Sequence, residues 1–216
     1  MSTTVQQQLQ AFWDQRYGSE AFVYGTEPNA FLVQQAQYIR PGGRVLCLAD
    51  GEGRNSVWLA QQGFDVSAVD ISPCGVRKAL QLASHAGAHV DARVADVTTL
   101  DFGVAQWDAI VSIFLHLPAG ARTDVHRRCM LALRPDGVFI WEAYAPGQLG
   151  RNTGGARDAA LLPALGEVMK DFAGYTQVMS WTGTRLLQEG SLHTGVGEVT
   201  QLRVTQASTP TRGDTP

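Results

Sequence analysis

Three carboxylates and a pair of glycines carry the most chemical information in this sequence. The segment Val45-Leu-Cys-Leu-Ala-Asp-Gly-Glu-Gly-Arg-Asn-Ser56 runs from an apolar stretch through Gly51-x-Gly53 into a helical pattern. Glycines at such a turn let the backbone approach a ligand where a Cβ would clash. Asp70 closes the next apolar stretch, 17 residues after Gly53, where a carboxylate can accept two ribose hydroxyls. Helix N-capping is the plainer role there, and Ser72 beside it can take that role instead. Asp96, in Ala95-Asp96-Val97, follows a third such stretch and can accept from an adenine amino group, or simply form a turn. Three acceptors in order at consecutive strand ends point to a nucleoside-bearing ligand.

Two such ligands compete for the glycine turn. A dinucleotide wants a third glycine for close helix–strand packing, and Ser56 stands in that place. Its pyrophosphate also wants an uncluttered helix N-terminus, whereas this turn carries Asp50 and Glu52. The same two carboxylates suit a cationic ligand. S-adenosylmethionine (SAM) has an ammonium and a sulfonium, so the turn favours SAM over NAD.

Methyl transfer from a sulfonium is an in-line displacement, in which a protein mainly orients, desolvates and removes a proton where the acceptor carries one. Candidates for that work lie at the rim. His116 in Ser112-Ile-Phe-Leu-His-Leu-Pro118 is a possible base just past a strand, with packing as the competing role. Glu142 could face the same site, or form a structural ion pair, since a lone charge in a buried strand is costly. His193 is a third catalytic candidate, with an exposed turn histidine as its alternative. Arg16, Tyr17, Tyr24 and Arg157 could form a lid, although packing of an amphipathic helix explains Trp13 and Tyr17 equally well.

The elements that must hold these residues follow from hydrophobic periodicity. Leu9, Phe12, Trp13, Arg16 and Tyr17 predict a helix with one apolar-aromatic face, and a short helix starts near Pro28. From there strands over 44–49, 65–69, 90–94, 107–114 and 138–143 alternate with helices over 55–62, 75–86 and 121–133. Repeated β-then-α units imply right-handed crossovers and a parallel sheet covered on both faces. After a Gly-rich loop at 146–155, a helix over 159–172 precedes two strands, 175–187 and 196–205, joined as an antiparallel hairpin. The expectation is a doubly wound, mostly parallel seven-stranded α/β sheet with an antiparallel C-terminal strand. One domain spans 1–206 with a helical cap over about 1–40, and 207–216 reads as a disordered tail.

Composition narrows the partners. A chain of 216 residues, 44% hydrophobic and 17% charged, has the make-up of a globular domain. A net charge of -3 with only isolated basic pairs argues against a nucleic-acid partner. No apolar run reaches the ~18–20 residues of a membrane span, and the start lacks a secretory layout. Cys47, Cys74 and Cys129 lie far apart without CxxC pairing, which fits reduced thiols in the cytoplasm and no metal site. Oligomeric state is not readable.

These residues resemble the class I SAM-dependent methyltransferase superfamily, close to the tellurite-resistance methyltransferase group with its Gly-x-Gly-Arg-Asn turn. The resemblance runs through Gly63-Phe-Asp-Val-Ser-Ala-Val-Asp70, Ala95-Asp96-Val97 and Leu133-Arg-Pro-Asp-Gly-Val-Phe139, covering roughly residues 40–145. It implies a Rossmann-like fold with SAM as cofactor. It places the turn Ala49, Asp50, Gly51 and Gly53 against the methionine part, Asp70 on the ribose, Asp96 and Val97 at the adenine, and Ile113 along the inner side. Asn55 and Ile71 complete the expected cofactor set. The chain departs from the family in having Cys47 at a usually acidic position and Ala49-Asp50 where Gly-Cys is usual, so Asp50 is expected to supply the charge for the methionyl ammonium. Thr194 follows His193 where the tellurite group carries arginine, which speaks against that oxyanion. The expected activity is methyl transfer to a small polar acceptor (thiol, carboxyl, hydroxyl or metalloid oxyanion). A noncatalytic SAM-binding regulator or partner subunit is the alternative, and an NAD-dependent oxidoreductase the less favoured one.

Overall fold

A computed structural model describes residues 4–206; the expected tail over 207–216 lies outside the described residues. Strands β1 (Arg44–Leu48), β2 (Asp65–Asp70), β3 (Asp91–Val94), β4 (Trp107–Ile113), β5 (Leu133–Tyr144), β6 (Thr176–Glu189) and β7 (His193–Thr205) form one seven-stranded sheet in the order β3-β2-β1-β4-β5-β7-β6. The first five are parallel, and β7 lies antiparallel between β5 and β6. β1 and β4 read as continuous apolar runs because they are covered on both faces: Val45, Leu46, Cys47 and Leu48 are all buried, as is every residue of β4.

Helices α1 (Val5–Tyr17), α2 (Ala30–Gln35), α3 (Arg54–Gln61), α4 (Pro73–His85), α5 (Ala119–Ala132) and α6 (Leu165–Lys170) flank the sheet. One face packs Leu46, Ile110, Phe139 and Trp141 against Val125, Cys129 and Met130 of α5 and Val168 of α6. The other packs Val45, Cys47, Ala109 and Ile140 against Phe31 and Leu32 of α2, Val57 and Leu59 of α3 and Ala83 of α4. The helices following β1 and β4 thus leave on opposite faces. That divergence opens a crevice at the carboxyl ends of these adjacent strands, where ligands bind in open α/β sheets.

Local chemistry sets the element ends and corrects several expected boundaries. Ser72 caps α4 by accepting from the Gly75 N–H, with Pro73 in the first turn. Asn29 caps α2, so that helix begins after Pro28 rather than at it. The helix expected over 159–172 is split into a 3-10 turn (Ala159–Leu161) and α6, because Pro163 lacks an N–H and forces the preceding Leu162 out of the helical region. Pro135-Asp136-Gly137 sits inside β5 as an irregularity: Trp107 pairs with Leu133, and Ala109 with Val138. The hairpin is tighter than its pattern suggested, since Glu189 and His193 form its closing pair and β7 starts at His193. On α1 the expected apolar face is only partly used. Tyr17 is buried and Trp13 half-buried, while Leu9 and Phe12 stay exposed.

Candidate active site

The site assembles where β1, β2 and β4 end. Ala49 (φ 50°) and Phe114 (φ 58°), each immediately beyond β1 or β4, are both held in the left-handed region. For a residue as bulky as phenylalanine this is an unusual backbone, and such strain gathers at functional sites. Ala49, Asp50, Ile71, Asp96, Phe114 and His116 are all partly exposed, and trace the crevice along the carboxyl edge of the sheet.

The glycine turn is shaped by protein neighbours on its outer side. Gly51 (φ 61°) has the Tyr17 Oη 2.7 Å from where a Cβ would sit, and Gly53 (φ 91°) has Ala79 Cα and Cβ at the same distance. The two glycines therefore admit α1 and α4 to the turn, a use that the spacing alone did not reveal. Asp70 accepts from the Gly51 N–H at 2.8 Å with one oxygen and from the Ser72 N–H at 2.8 Å with the other. Burial nonetheless raises its pKa to about 6. Each carboxylate oxygen has a second lone pair, so Asp70 fixes the turn without exhausting its accepting capacity.

Asp50 and Glu52, alike in the sequence, part company in the structure. Asp50 lies in the crevice and accepts from the Ser56 hydroxyl. It makes no ion pair among the described residues, and burial raises its pKa to about 7. Glu52 is spent on the protein itself. Its carboxylate pairs with Lys78 at 2.5 Å and accepts from the backbone N–H groups of Val23 (2.9 Å) and Tyr24 (3.3 Å). Lys78 Nζ also donates to the carbonyls of Ser19 and Ala21. Together they clasp the strap over residues 18–25 onto the turn, so only Asp50 remains to meet a ligand cation. Cys47 is fully buried, with its thiol pushed well up by burial and by Asp50.

Beyond β3, Asp96 accepts from both the backbone N–H and the hydroxyl of Thr98 with one oxygen. Arg128 of α5 donates to the carbonyls of Val97, Thr98 and Leu100, and holds this loop in shape. Val97 and Ile113 are buried at the crevice floor. Asn55 is committed elsewhere: its Oδ1 accepts from the Asn29 N–H at 2.9 Å and so ties α3 to α2.

On the β4–β5–β7 side, five rings converge. Tyr24 and His193 lie 4.4 Å apart, Phe114 and Tyr144 4.6 Å, Phe114 and His193 4.7 Å, and His116 stacks on Tyr144 at 5.7 Å. Both ring nitrogens of His116 are shielded from solvent, and the Leu161 backbone is its polar neighbour. Burial is the main cause that lowers its pKa to about 4, and His193 adds to it. His193 is buried rather than exposed, with its Nδ1 3.8 Å from Glu189. Burial lowers its pKa as well, against the opposing pull of Glu189.

Glu142 is buried among partners. It accepts from Arg185, from Gln201 at 2.5 Å and from the Asn29 side chain at 3.1 Å. Glu189 in turn accepts from Arg54 at 2.6 Å, Arg185 at 2.8 Å and Asn29 at 3.0 Å. Two arginines and two glutamates thus close a buried network between the start of α3 and the β6–β7 hairpin. Sequence reasoning missed Asn29, Arg54, Arg185 and Glu189, which have no local spacing in common. Of the lid candidates, Arg16 donates to the Tyr24 hydroxyl at 3.2 Å, and Tyr17 packs beneath Trp13 and against Gly51. Arg157 is exposed and is not brought to this group.

Residues 45–137 match a family model described as "Methyltransferase domain". An uncharacterised protein of Mycobacterium tuberculosis is 34% identical over 85 residues, covering 39% of this chain and 31% of its own length. The chain therefore spans about a third of the mycobacterial relatives it matches. A ubiquinone biosynthesis O-methyltransferase of Xanthomonas campestris is 28% identical, with 82% of this chain and 75% of that protein covered. Among solved structures, a protein of echinomycin biosynthesis described as converting a disulfide bond into a thioacetal group has a TM-score of 0.76 at 16% identity, covering 95% of both chains. TehB of Haemophilus influenzae has a TM-score of 0.68 at 15% identity, covering 91% of this chain and 66% of that one. The methyltransferase-domain match lies over β1 to the start of β5, and the likeness to the solved structures extends to the fold of the whole sheet.

Proposed function

We propose that the protein transfers a methyl group from SAM to a small-molecule acceptor. The observation that carries this reading is Asp50, a crevice carboxylate at the end of β1 whose partner within the protein is a neutral hydroxyl. An ammonium there would favour its ionised form, as a nearby positive charge does for any carboxylate. Ala49, Gly51 and Gly53 would then flank the methionine moiety. Asp70 and Ile71 would face the ribose, and Asp96, Val97 and Ile113 the adenine. The bound sulfonium supplies an activated methyl group.

The remaining work falls to the ring cluster. His116 would take a proton from the acceptor, His193 lies in the same ring cluster, and Glu142 acts through its ion pairs by holding the hairpin in place. Arg16, Tyr17 and Tyr24 close the site from above. Asn55 supports the reading as a brace between helices, and Arg157 would join the lid only by movement of its loop. A cytoplasmic setting is part of the proposal. No helix among the described residues is long and apolar enough to cross a membrane.

Calorimetric titration with SAM, S-adenosylhomocysteine and NADH tests the cofactor. Micromolar binding of the two sulfur nucleosides, about -8 kcal/mol, that is lost in Asp70→Ala is the expected result. Binding of NADH alone, or of none of them, would overturn the reading. A labelled-methyl assay then separates an enzyme from a noncatalytic SAM-binding subunit.

A further inference from the structure

One hydroxyl beside the glycine turn answers to two acceptors. Gly53, which precedes α3, has no side chain with which to cap the helix, and Asp50 serves in its place. The Asp50 carboxylate accepts from the Ser56 hydroxyl and from the Ser56 backbone N–H. Its own main chain is fixed on both sides: the N–H donates to the Val69 carbonyl at 3.1 Å, and the carbonyl accepts from the Gly53 N–H at 3.2 Å. Ser56 is wholly buried, so its hydroxyl has no solvent to turn to. The Gly53 carbonyl lies 3.2 Å from that same hydroxyl oxygen.

A hydroxyl has one proton to give and can also accept one. Two arrangements therefore satisfy this trio. With Asp50 ionised, Ser56 donates to the carboxylate, and the Gly53 carbonyl keeps the Val57 N–H that it already accepts at 2.9 Å. With Asp50 protonated, the carboxyl donates to the Ser56 oxygen and Ser56 donates to Gly53. Neither state strands a buried polar group.

The surroundings leave the choice to a ligand. Burial opposes a charge on Asp50, and Asp70 of β2 opposes it further. Arg54 of α3 favours the charge but is bound by Glu189, and Glu52 on the same turn is paired with Lys78. The Cys47 thiol of β1 and the Tyr17 phenol of α1 are both pushed well up and stay neutral beside it.

We propose that Ser56 is a positioning residue that lets Asp50 exchange its proton for the α-ammonium group of the ligand. As the cation arrives, the carboxyl proton leaves to water, and the Ser56 hydroxyl turns from the Gly53 carbonyl to the carboxylate. This rests on the SAM reading and adds a selection to it. The turn prefers nucleosides that carry an amino acid over those that lack one, and each such binding event releases a proton.

The test is calorimetry on the full chain in two buffers of different ionisation enthalpy, between pH 6 and 8. S-adenosylhomocysteine carries the ammonium, and methylthioadenosine is the same nucleoside without it. Subtracting the second from the first removes any proton released by Asp70 at the ribose. At pH 6, S-adenosylhomocysteine should release close to one proton more than methylthioadenosine, and that excess should be halved near pH 7. Ser56→Ala should move this midpoint up by about one pH unit and weaken S-adenosylhomocysteine about tenfold at pH 6, with methylthioadenosine unchanged. Ser56→Cys, which keeps the volume and a weak donor, should fall between the two. No excess proton in the unaltered protein overturns the proposal. So does a Ser56→Ala midpoint that stays in place, or a loss of affinity shared alike by both nucleosides. Failure of the unaltered protein to bind either nucleoside would instead defeat the methyltransferase reading itself.

Discussion

Two side chains have protonation states that the structure sets far from their ordinary values, and each makes a measurable prediction. Burial raises the pKa of Asp50 to about 7, and the proposed ligand ammonium would pair with its ionised form. SAM affinity should therefore fall as pH drops below about 7, by roughly tenfold per unit while one proton must be displaced. In Asp50→Asn the affinity should be weak and nearly flat over the same range. Calorimetry across that window, showing an equal slope in both proteins, would remove Asp50 from the site. His116 behaves in the opposite sense to a salt-bridged histidine. Its folded pKa of about 4 lies below the unfolded value of 6.5, so the unfolded chain binds the extra proton first. Stability should decline as pH falls from about 6.5 to about 4, by on the order of 3 kcal/mol from this group. His116→Gln should lose less stability over that interval in acid melts. The positions of Asp70 at the end of β2 and of Asp96 just past β3 were legible in the sequence, because strand-like stretches precede both. The fate of Glu52 could not, since nothing in Gly51-Glu52-Gly53 foretells a lysine 26 positions later or a strap 28 positions earlier.

At the scale of elements, the clasp and the glycine turn are the points most open to test. The Glu52–Lys78 pair is almost wholly buried, and removing one partner strands the other charge. Glu52→Gln should cost about 3–5 kcal/mol and speed hydrogen exchange at the Val23 and Tyr24 amides. The double change Glu52→Gln with Lys78→Met should recover part of the loss. A melting temperature unmoved by the single change would mean that the strap is held by other contacts. Gly53→Ala should be destabilising from two causes: a backbone conformation that costs about 1–3 kcal/mol for a side chain, and a Cβ driven to 2.7 Å from Ala79. Chemical denaturation reads the sum. The alternation of strands and helices was legible here because buried parallel strands leave continuous apolar runs. Helix ends were less so. Pro163 was in plain view within the apolar pattern of 159–172, and the periodicity outweighed a proline that had to break it.

For the whole molecule, the site divides into two halves of different origin. The proposed cofactor half comes from consecutive β–α units, and the ring cluster from residues scattered between Tyr24 and His193. The first half could be recognised from order and spacing. The second could not, because Arg54 and Glu189 meet across 135 positions and only the folded sheet makes them neighbours. Glu189→Gln should therefore be felt on both sides, weakening the fixed start of α3 and the placement of His193. Its signature would be a raised KM for SAM together with a lowered kcat, where a purely local role would change only one.

The place of β7 has a consequence for how the protein comes into being. Among the described residues β6 pairs in the sheet only with β7, and β7 follows it in the chain. While the polypeptide leaves the ribosome, the cofactor half can be built as its strands emerge, but β6 must wait without a hydrogen-bonding mate until β7 slides between it and β5. Arg185, Glu189 and His193 reach their stations only at that moment. A stalled nascent chain lacking β7 would carry the glycine turn without the ring cluster that β7 completes.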